Sequence, residues 1–196
     1  MFTDFVIPGN NEKEFISMAE KLGYHNLIFL YPFNKATKKT NAVIISKKDL
    51  SCGLDSRLVV VKAIDENRAF FNSKKVDIIY GLEKISGKDY LHHKASGMNQ
   101  VLSKLAKQNN ISVGFSISMI LDAAKHKKHI IMSRISQNIR FCRKYNVDMI
   151  TASFASHPYQ MRAPKDLISL MQDLGMTGSE ARNSLQSTKF KKGLNK

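Results

Sequence analysis

Residues 58–64, LVVVKAI, form an apolar run interrupted only by Lys62, and this run decides the fold class. A strand with one face in water alternates apolar and polar residues, so a continuous apolar run is typical of a strand covered on both faces. Further runs of β-forming residues predict strands at 2–7, 26–30, 42–46, 76–80, 89–91, 111–115 and 147–151. Strands buried on both faces indicate a parallel sheet covered by helices.

Helices are predicted between these runs from apolar residues at helical spacing. In residues 12–22 apolar side chains recur at i, i+3, i+4 and i+7, and Gly23 marks the end. Pro164 begins another helix, and Thr177 with Glu180 forms a capping box for the last one. The predicted helices are 12–22, 98–106, 129–145, 164–174 and 177–185.

Strands interleaved with helices predict an α/β fold, an abbreviated TIM-like (β/α) barrel. The barrel is expected to be abbreviated because the connections between residues 31 and 90 are too short for a full helix in every unit. A doubly wound open sheet is the alternative, since one sequence does not reveal strand order. We expect one domain, residues 1–188, followed by a basic tail, residues 189–196.

The composition indicates a polyanionic partner. The 196 residues contain 31 Lys and Arg against 16 Asp and Glu, a net charge of +15 at pH 7. Such an excess raises the self-repulsion of the folded chain and is usually retained because a polyanion neutralises it. No apolar stretch approaches the roughly 20 residues of a membrane span, and the N-terminus lacks a signal-peptide pattern. Two lone thiols, Cys52 and Cys142, fit a cytoplasmic location and give no support for a disulfide or a zinc site.

The positive charge is concentrated in the second half of the chain. From His92 to Asn146 the only acidic residue is Asp122. The basic residues of this segment are Lys94, Lys104, Lys107, Lys125, Lys127, Lys128, Arg134, Arg140, Arg143 and Lys144. In the helix at 129–145 the apolar positions face one way and the last three basic residues face away. An ordinary solvated face is the alternative, but uncompensated charge of this extent favours phosphate binding.

Signatures of catalysis are weak. His92 and His93 follow a predicted strand and would lie at the C-terminal mouth of a barrel, where catalytic and metal sites gather. A metal-dependent phosphoesterase needs His and carboxylate ligands from several strand ends, yet the first strand carries no histidine and the last is followed only by His157. Glycines lie in separate turns rather than in a phosphate-binding loop. We therefore predict no catalytic residue, no metal ligand and no directly bound cofactor, and keep the phosphoesterase as the alternative function. A general basic scaffold or DNA-binding protein is a further alternative.

Several blocks of the sequence resemble the archaeal ribonuclease P protein component 3 family, which includes the thirty-kilodalton subunit of the eukaryotic enzyme. The most specific blocks are residues 92–99, HHKASGMN, and residues 162–167, RAPKDL, supported by 4–8, 113–116 and 138–145. The resemblance implies a barrel related to the polymerase and histidinol-phosphatase hydrolases, without their first-strand histidines. It also implies an RNA-binding role in tRNA 5′ maturation, with the chemistry performed by the RNA subunit and Mg²⁺.

The partners implied by the resemblance are the ribonuclease P RNA, ribonuclease P protein component 2, the other protein subunits and, through the holoenzyme, precursor tRNA. The matching blocks and the charge distribution together give the predicted RNA-binding residues His92, His93, Lys94, Ser96, Asn99, Lys104, Arg134, Arg140, Arg143, Lys144, Arg162 and Lys165. Two of them have structural alternatives. Asn99 is suited to cap the helix that follows, and Arg162 to pair with Asp166 at a helix start.

Overall fold

The computed structural model describes residues 1–37, 40–52, 57–90 and 94–186. Its strands are β1 Thr3–Val6, β2 Asn26–Phe29, β3 Tyr31–Pro32, β4 Ala42–Ile45, β5 Leu58–Lys62, β6 Ile78–Tyr80, β7 Ser112–Ser116 and β8 Met149–Ala152. Every pairing between neighbouring strands is parallel. The expected parallel sheet is therefore confirmed.

The strands close into a barrel. Strands β3 to β8 form one sheet in sequence order, and β1 pairs with β2. The two groups are joined at both edges. At one edge Leu30 connects β2 directly to β3, and its N–H donates to the Val6 carbonyl of β1 at 2.8 Å. At the other edge Val6 of β1 forms a bridge to Ala155, which follows β8. The Ile7 N–H also donates to the Ala155 carbonyl at 2.8 Å. The open-sheet alternative is wrong, because hydrogen bonds join the first strand to the segment after the last.

Helices cover the outside of the barrel unevenly. They are α1 Glu12–Leu22, α2 Arg68–Asn72, α3 Gln100–Gln108, α4 Ile117–Leu121, α5 Lys125–Tyr145, α6 Pro164–Asp173 and α7 Gly178–Leu185. In their described residues the connections after β3 and β4 contain only short 3₁₀ turns, Phe33–Lys35 and Lys47–Ser51. The barrel is abbreviated, as predicted, because these connections are too short for a covering helix.

Strand β5 shows why the fold needs continuous apolar runs. Leu58 and Val60 lie in the barrel interior, whereas Val59 and Val61 belong to the core between the strands and the helices. All four are at most 1% exposed. Residues 58–61 of the run therefore lie between two apolar layers, whereas Lys62 and Ile64 are exposed. At about 25 cal/mol per Å² of buried apolar surface both faces of the strand contribute to stability.

Three details differ from the sequence-based expectation. The predicted strand at 89–91 is absent in its described part, since Asp89 and Tyr90 are not extended into the sheet and residue 91 lies outside the described residues. Helix α5 begins at Lys125 rather than at residue 129. The two-residue strand β3 was not predicted, because it contains a proline and few residues. The tail, 189–196, lies outside the described residues, so the domain boundary at 188 stays a prediction.

Within the described part of the chain, no helix combines the length and the apolar character that crossing a membrane requires.

Candidate nucleic-acid interface

Helix α5 separates an apolar face from a basic face. Ile131, Ile135, Ile139 and Cys142 are buried against the barrel, and Arg140, Arg143 and Lys144 are exposed. The predicted core stripe backed by basic residues is therefore confirmed. The helix contains no Asp or Glu in its 21 residues, so no neighbour on the helix itself neutralises the basic side chains.

Helix α3 extends this basic face. It packs beside α5, and its Lys104 and Lys107 are exposed. Helix α3 leads into β7 and α5 leads into β8, so the C-terminal ends of both helices lie at the end of the barrel where these parallel strands begin. We call the exposed residues Lys104, Lys107, Arg140 and Lys144 the α3–α5 basic surface.

The two basic residues of this surface on α5 point toward the α3 side. Gln137, Arg140 and Lys144 follow one another at i, i+3 and i+7, which places them on one side of the helix. The Gln137 side chain contacts the loop that leads to α3, donating to the Lys94 carbonyl at 3.0 Å. Arg140 forms no hydrogen bond or ion pair with any residue that the structure describes.

Arg134 is the exception among the basic residues of α5, because it points inward. It is 7% exposed. Its guanidinium pairs with Asp89 (Nη2 to Oδ1, 2.8 Å) and donates to the carbonyls of Glu83 (3.1 Å), Ile85 (2.9 Å) and Gly87 (2.8 Å). Burial raises the pKa of Asp89, but the hydrogen bonds from Arg134 and the Ala95 N–H, together with the charges of Arg134 and Lys94, outweigh burial and hold that pKa below its ordinary value. Arg134 therefore fastens the 83–89 loop to α5 and is not accessible to an RNA phosphate.

The neighbouring loop is held by the same helix. Ser96 has no exposed surface; its Oγ accepts from Gln137 Nε2 at 2.9 Å and its carbonyl accepts from Asn138 Nδ2 at 2.8 Å. Lys94 is half-buried and its Nζ donates to Ser133 Oγ. A direct RNA contact by Ser96 is thus incompatible with its burial, and Lys94 has one donor already engaged.

The remaining predicted residues lie on the surface in different settings. Asn99 caps α3, its side chain accepting from the Leu102 N–H at 2.9 Å, as the structural alternative had it. Lys165 is exposed at the start of α6. Arg162 does not pair with Asp166; its Nη1 donates instead to the carbonyls of Tyr159 (2.8 Å) and Met161 (2.7 Å).

Arg143 is exposed but already has a carboxylate partner. Its Nε and Nη2 donate to the two oxygens of Glu180 at 2.9 and 2.6 Å, and Nη2 also donates to the Gly175 carbonyl at 2.6 Å. The hydrogen bond from Arg143 lowers the pKa of Glu180 to about 2. Arg143 therefore ties α5 to α7, and its charge is largely neutralised within the chain.

The structure brings some predicted residues together and separates others. Lys94, Ser96 and Asn99 line one open groove of about 260 Å³ with Asp65 and Asn67. The α3–α5 basic surface lies at the end of the helices away from this groove, since Asn99 stands at the beginning of α3. His92 and His93 lie outside the described residues, so their predicted place at the barrel mouth stays a prediction.

Aromatic side chains fill the barrel at the C-terminal ends of its strands. Tyr80 and Phe154 stack with ring centroids 4.2 Å apart and an angle of 2°, and Phe5 lies 5.8 Å from Phe154. Phe154 has a left-handed backbone (φ +44°), which is costly for a non-glycine residue. Met119 packs against the same interior cluster. Among the described residues these side chains fill the barrel interior directly below the mouth, where barrel enzymes hold substrates.

Two carboxylates are buried near this packed interior. Asp4 and Glu83 are 0% and 1% exposed, and each has one side-chain oxygen without a hydrogen-bond partner. Burial raises the pKa of Asp4 to about 6 and that of Glu83 to about 7. Hydrogen bonds to each carboxylate lower its pKa, but burial has the larger effect. Among the described residues, no three His, Cys, Asp or Glu side chains are grouped as a metal ion requires.

Fold and site together define a basic α/β-barrel protein whose described interior is packed with aromatic side chains and whose outer helices carry exposed positive charge. The model of the family RNase P subunit p30 matches residues 54–190, and the chain belongs to that family. The family suggested by the sequence blocks is confirmed.

Curated relatives agree with this assignment. Ribonuclease P protein component 3 of Methanothermobacter thermautotrophicus is 26% identical over 211 aligned residues, which cover 95% of this chain and 86% of the relative. The protein of the same name from Methanosarcina mazei is 28% identical over 125 residues, 62% of this chain and 47% of the relative. The chain therefore spans most of the first relative and about half of the second.

A solved structure shows the same fold. A chain in the cryo-EM structure of archaeal ribonuclease P with mature tRNA superposes with a TM-score of 0.75, covering 94% of this chain and 88% of that one. The sequence identity is 17%, so this likeness carries the fold alone.

Proposed function

We propose that this chain is an RNA-binding protein subunit of ribonuclease P, the ribonucleoprotein that removes the 5′ leader from precursor tRNA. The observation that carries the proposal is the α3–α5 basic surface on a member of the RNase P subunit p30 family. Lys and Arg side chains without acidic neighbours attract phosphates and release counterions on binding. Structured RNA is recognised largely through its phosphates, 2′-hydroxyls and shape, which a distributed basic surface suits.

The proposal assigns the chemistry to the RNA subunit and its Mg²⁺, and a supporting role to this chain. Support comes from the barrel interior below the mouth, where the buried Tyr80 and Phe154 rings stack on each other and so present no polar group to a substrate among the described residues. Incubated with precursor tRNA and Mg²⁺ or Mn²⁺ but without the RNA subunit, the protein is expected to give no specific 5′ cleavage. Specific cleavage that is lost on mutating His92 and His93 would favour the metal-dependent phosphoesterase instead.

The proposed partners are the ribonuclease P RNA, ribonuclease P protein component 2 and the other protein subunits, with precursor tRNA reached through the holoenzyme. A cytoplasmic location is part of the proposal. The test is reconstitution of precursor-tRNA cleavage at low Mg²⁺ from the RNA and component 2, with and without this chain. Stimulation should greatly exceed that of either protein alone; no stimulation and no binding to component 2 would contradict the proposal.

The salt dependence of RNA binding tests the basic surface itself. The double variant Arg140→Ala/Lys144→Ala removes two phosphate contacts, so the slope of log affinity against log salt should become shallower by about 1 to 2 units. The matched control is Lys13→Ala/Lys21→Ala on α1, where Glu12, Glu14 and Glu20 are interspersed with the lysines. The control should keep the wild-type slope. Equal slopes in the wild type, the double variant and the control would show that Arg140 and Lys144 belong to an ordinary solvated face and do not contact phosphates.

A further inference from the structure

An exposed aromatic ring stands just beyond the end of β8, in a segment that charge and periodicity did not single out. Tyr159 is 76% exposed and lies in the 3₁₀ turn Pro158–Gln160. Its ring stacks on that of His157, with centroids 5.3 Å apart and planes inclined by 22°. A ring so exposed on a turn contributes nothing to the core, and its outer face is open to a ligand.

Hydrogen bonds fix the turn that carries this ring. His157 Nδ1 accepts from the Tyr159 N–H at 3.5 Å, and Gln160 Oε1 accepts from the N–H groups of Ser156 (2.9 Å) and His157 (3.2 Å). Gln160 Nε2 donates in turn to Asp122 at 2.9 Å, which ties the turn to the end of α4. The turn is therefore fixed before any ligand arrives, and the Tyr159 ring stacks on His157 within it, which lowers the entropic cost of binding.

A cation adjoins the stack. Arg162 Nη1 donates to the Tyr159 carbonyl at 2.8 Å and to the Met161 carbonyl at 2.7 Å, which holds the guanidinium beside the turn. Its Nε and Nη2 have no acceptor in the described part of the chain, and Arg162 is exposed. These donors are free to bind a phosphate in the two-pronged manner that arginine favours.

The basic beginning of α5 lies close by. Lys125 follows Asp122 by three residues, so its Cα is at most about 10 Å from that of the residue that Gln160 contacts. Lys127 is also exposed, and no acid follows on the helix. Aromatic faces bordered by cations on a fixed turn match an unpaired nucleotide, whose base stacks on the ring while its phosphate meets the guanidinium.

We propose that the His157–Tyr159 stack and Arg162 form a platform on which one unpaired base of an RNA stacks. The inference rests on the proposed function and deepens it, because it names single-stranded rather than paired RNA as what this end of the barrel recognises. Inside a base-paired helix every base face is covered by its own stack, so a long duplex offers the platform nothing but its two terminal pairs.

The test uses the full chain, an unstructured oligouridine and a blunt RNA duplex with the same number of phosphates. Tyr159→Leu removes the aromatic face and keeps an apolar side chain, and Tyr159→Phe is the matched control that keeps the ring. Tyr159→Leu should lose about 5- to 100-fold in affinity for oligouridine, keep its affinity for the duplex and keep the salt slope, because stacking displaces no counterions. Tyr159→Phe should bind both probes as the wild type does. Arg162→Ala should make the slope for oligouridine shallower by about 0.7 units.

Three results would overturn the platform: equal losses of Tyr159→Leu for both probes, unchanged binding of oligouridine by this variant, or a defect confined to binding of component 2. Denaturation midpoints of the two Tyr159 variants should match the wild type, since the ring is exposed. If the wild type binds neither probe, the proposed RNA-binding function fails and the platform with it. Wild-type binding with no effect of Tyr159→Leu leaves the proposed function intact and removes only the platform.

Discussion

The inward and outward sides of α5 carry the same kind of side chain and use it differently. Arg134, on the inner side, pairs with Asp89 and donates hydrogen bonds to three carbonyls. Arg140, less than two turns further along, is exposed to solvent. An arginine that the fold has saturated stabilises the protein and leaves nothing for a phosphate, whereas an unsaturated one affects binding and hardly affects folding. The following predictions test this division, from the largest expected change in stability to the smallest.

Removing Arg134 should have the largest effect. In Arg134→Ala the half-buried Asp89 carboxylate and three carbonyls lose their partner, so the free energy of unfolding should fall by about 3 kcal/mol. Urea denaturation measures the loss. Arg134→Lys keeps the charge but lacks the planar guanidinium, so its free energy of unfolding should lie between those of the wild type and Arg134→Ala. A wild-type midpoint for the alanine variant would contradict the inward role.

The buried Glu83 should make stability depend on pH. Its pKa rises from an ordinary 4.5 to about 7 in the folded protein, so its neutral form favours folding. This contribution is complete below about pH 4.5 and is lost as the pH rises through 7. At about 1.4 kcal/mol per pH unit, Glu83→Gln should exceed wild-type stability by 1 to 3 kcal/mol at pH 8 and not at pH 4.

Denaturation of Glu83→Gln and the wild type across this pH range measures the difference. The exposed Glu14 provides the control, because Glu14→Gln changes a carboxylate that meets water in both states. Parallel pH curves for Glu83→Gln and the wild type would show that Glu83 is not desolvated.

The exposed pair of Arg143 and Glu180 should contribute less. The Arg143 side chain is 43% exposed, so water screens the pair, and a double-mutant cycle should give a coupling of about 1 kcal/mol. The coupling should be present above the ordinary Glu180 pKa of 4.5 and be lost as the pH falls toward 2. Arg143→Ala should leave the salt slope of RNA binding nearly unchanged, unlike Arg140→Ala. A shallower slope would mean that RNA competes with Glu180 for Arg143.

The outer basic residues should have the smallest effect on stability. Arg140→Ala/Lys144→Ala is expected to unfold within about 0.5 kcal/mol of the wild type, while its RNA binding changes as described above. Thermal unfolding measures this. A loss above 1 kcal/mol would show that one of these side chains supports the fold.

Much of the barrel could be predicted from the sequence, because strands buried on both faces are continuous apolar runs. The errors occurred where that signal is absent or misleading. Residues 125–128, KHKK, carry no apolar spacing, so the first turn of α5 was missed. At 89–91 a short run of strand-like length was predicted to join the sheet, but Asp89 instead pairs with Arg134. Such a long-range pair leaves no periodic trace in the sequence.

The candidate site was predicted only in part. Arg140 and Lys144 lie on the expected outer face, and the charge distribution, the helical spacing and the matching block at 138–145 indicated them. Arg134 was placed with them because it is basic, although Ile131, Arg134 and Ile135 stand at i, i+3 and i+4 and thus on one face. That spacing could have identified Arg134 as an inward residue. The exposure of Tyr159 had no such signal, since it depends on a turn fixed by Gln160 and Asp122.

The closure of the barrel also constrains the order in which the chain folds during synthesis. The Asp4 carboxylate accepts from the Ser153 N–H, a bond between residues 149 apart in sequence. A ribosome adds about 5 to 20 residues per second, so β1 emerges several seconds or more before its partner exists. Strand β2 follows within about 30 residues and can pair with β1 first. Until β8 has been synthesised, the nascent barrel has two open strand edges that can bind other chains. The Asp4 carboxylate stays in water until β1 pairs with the segment after β8, and that last pairing buries it.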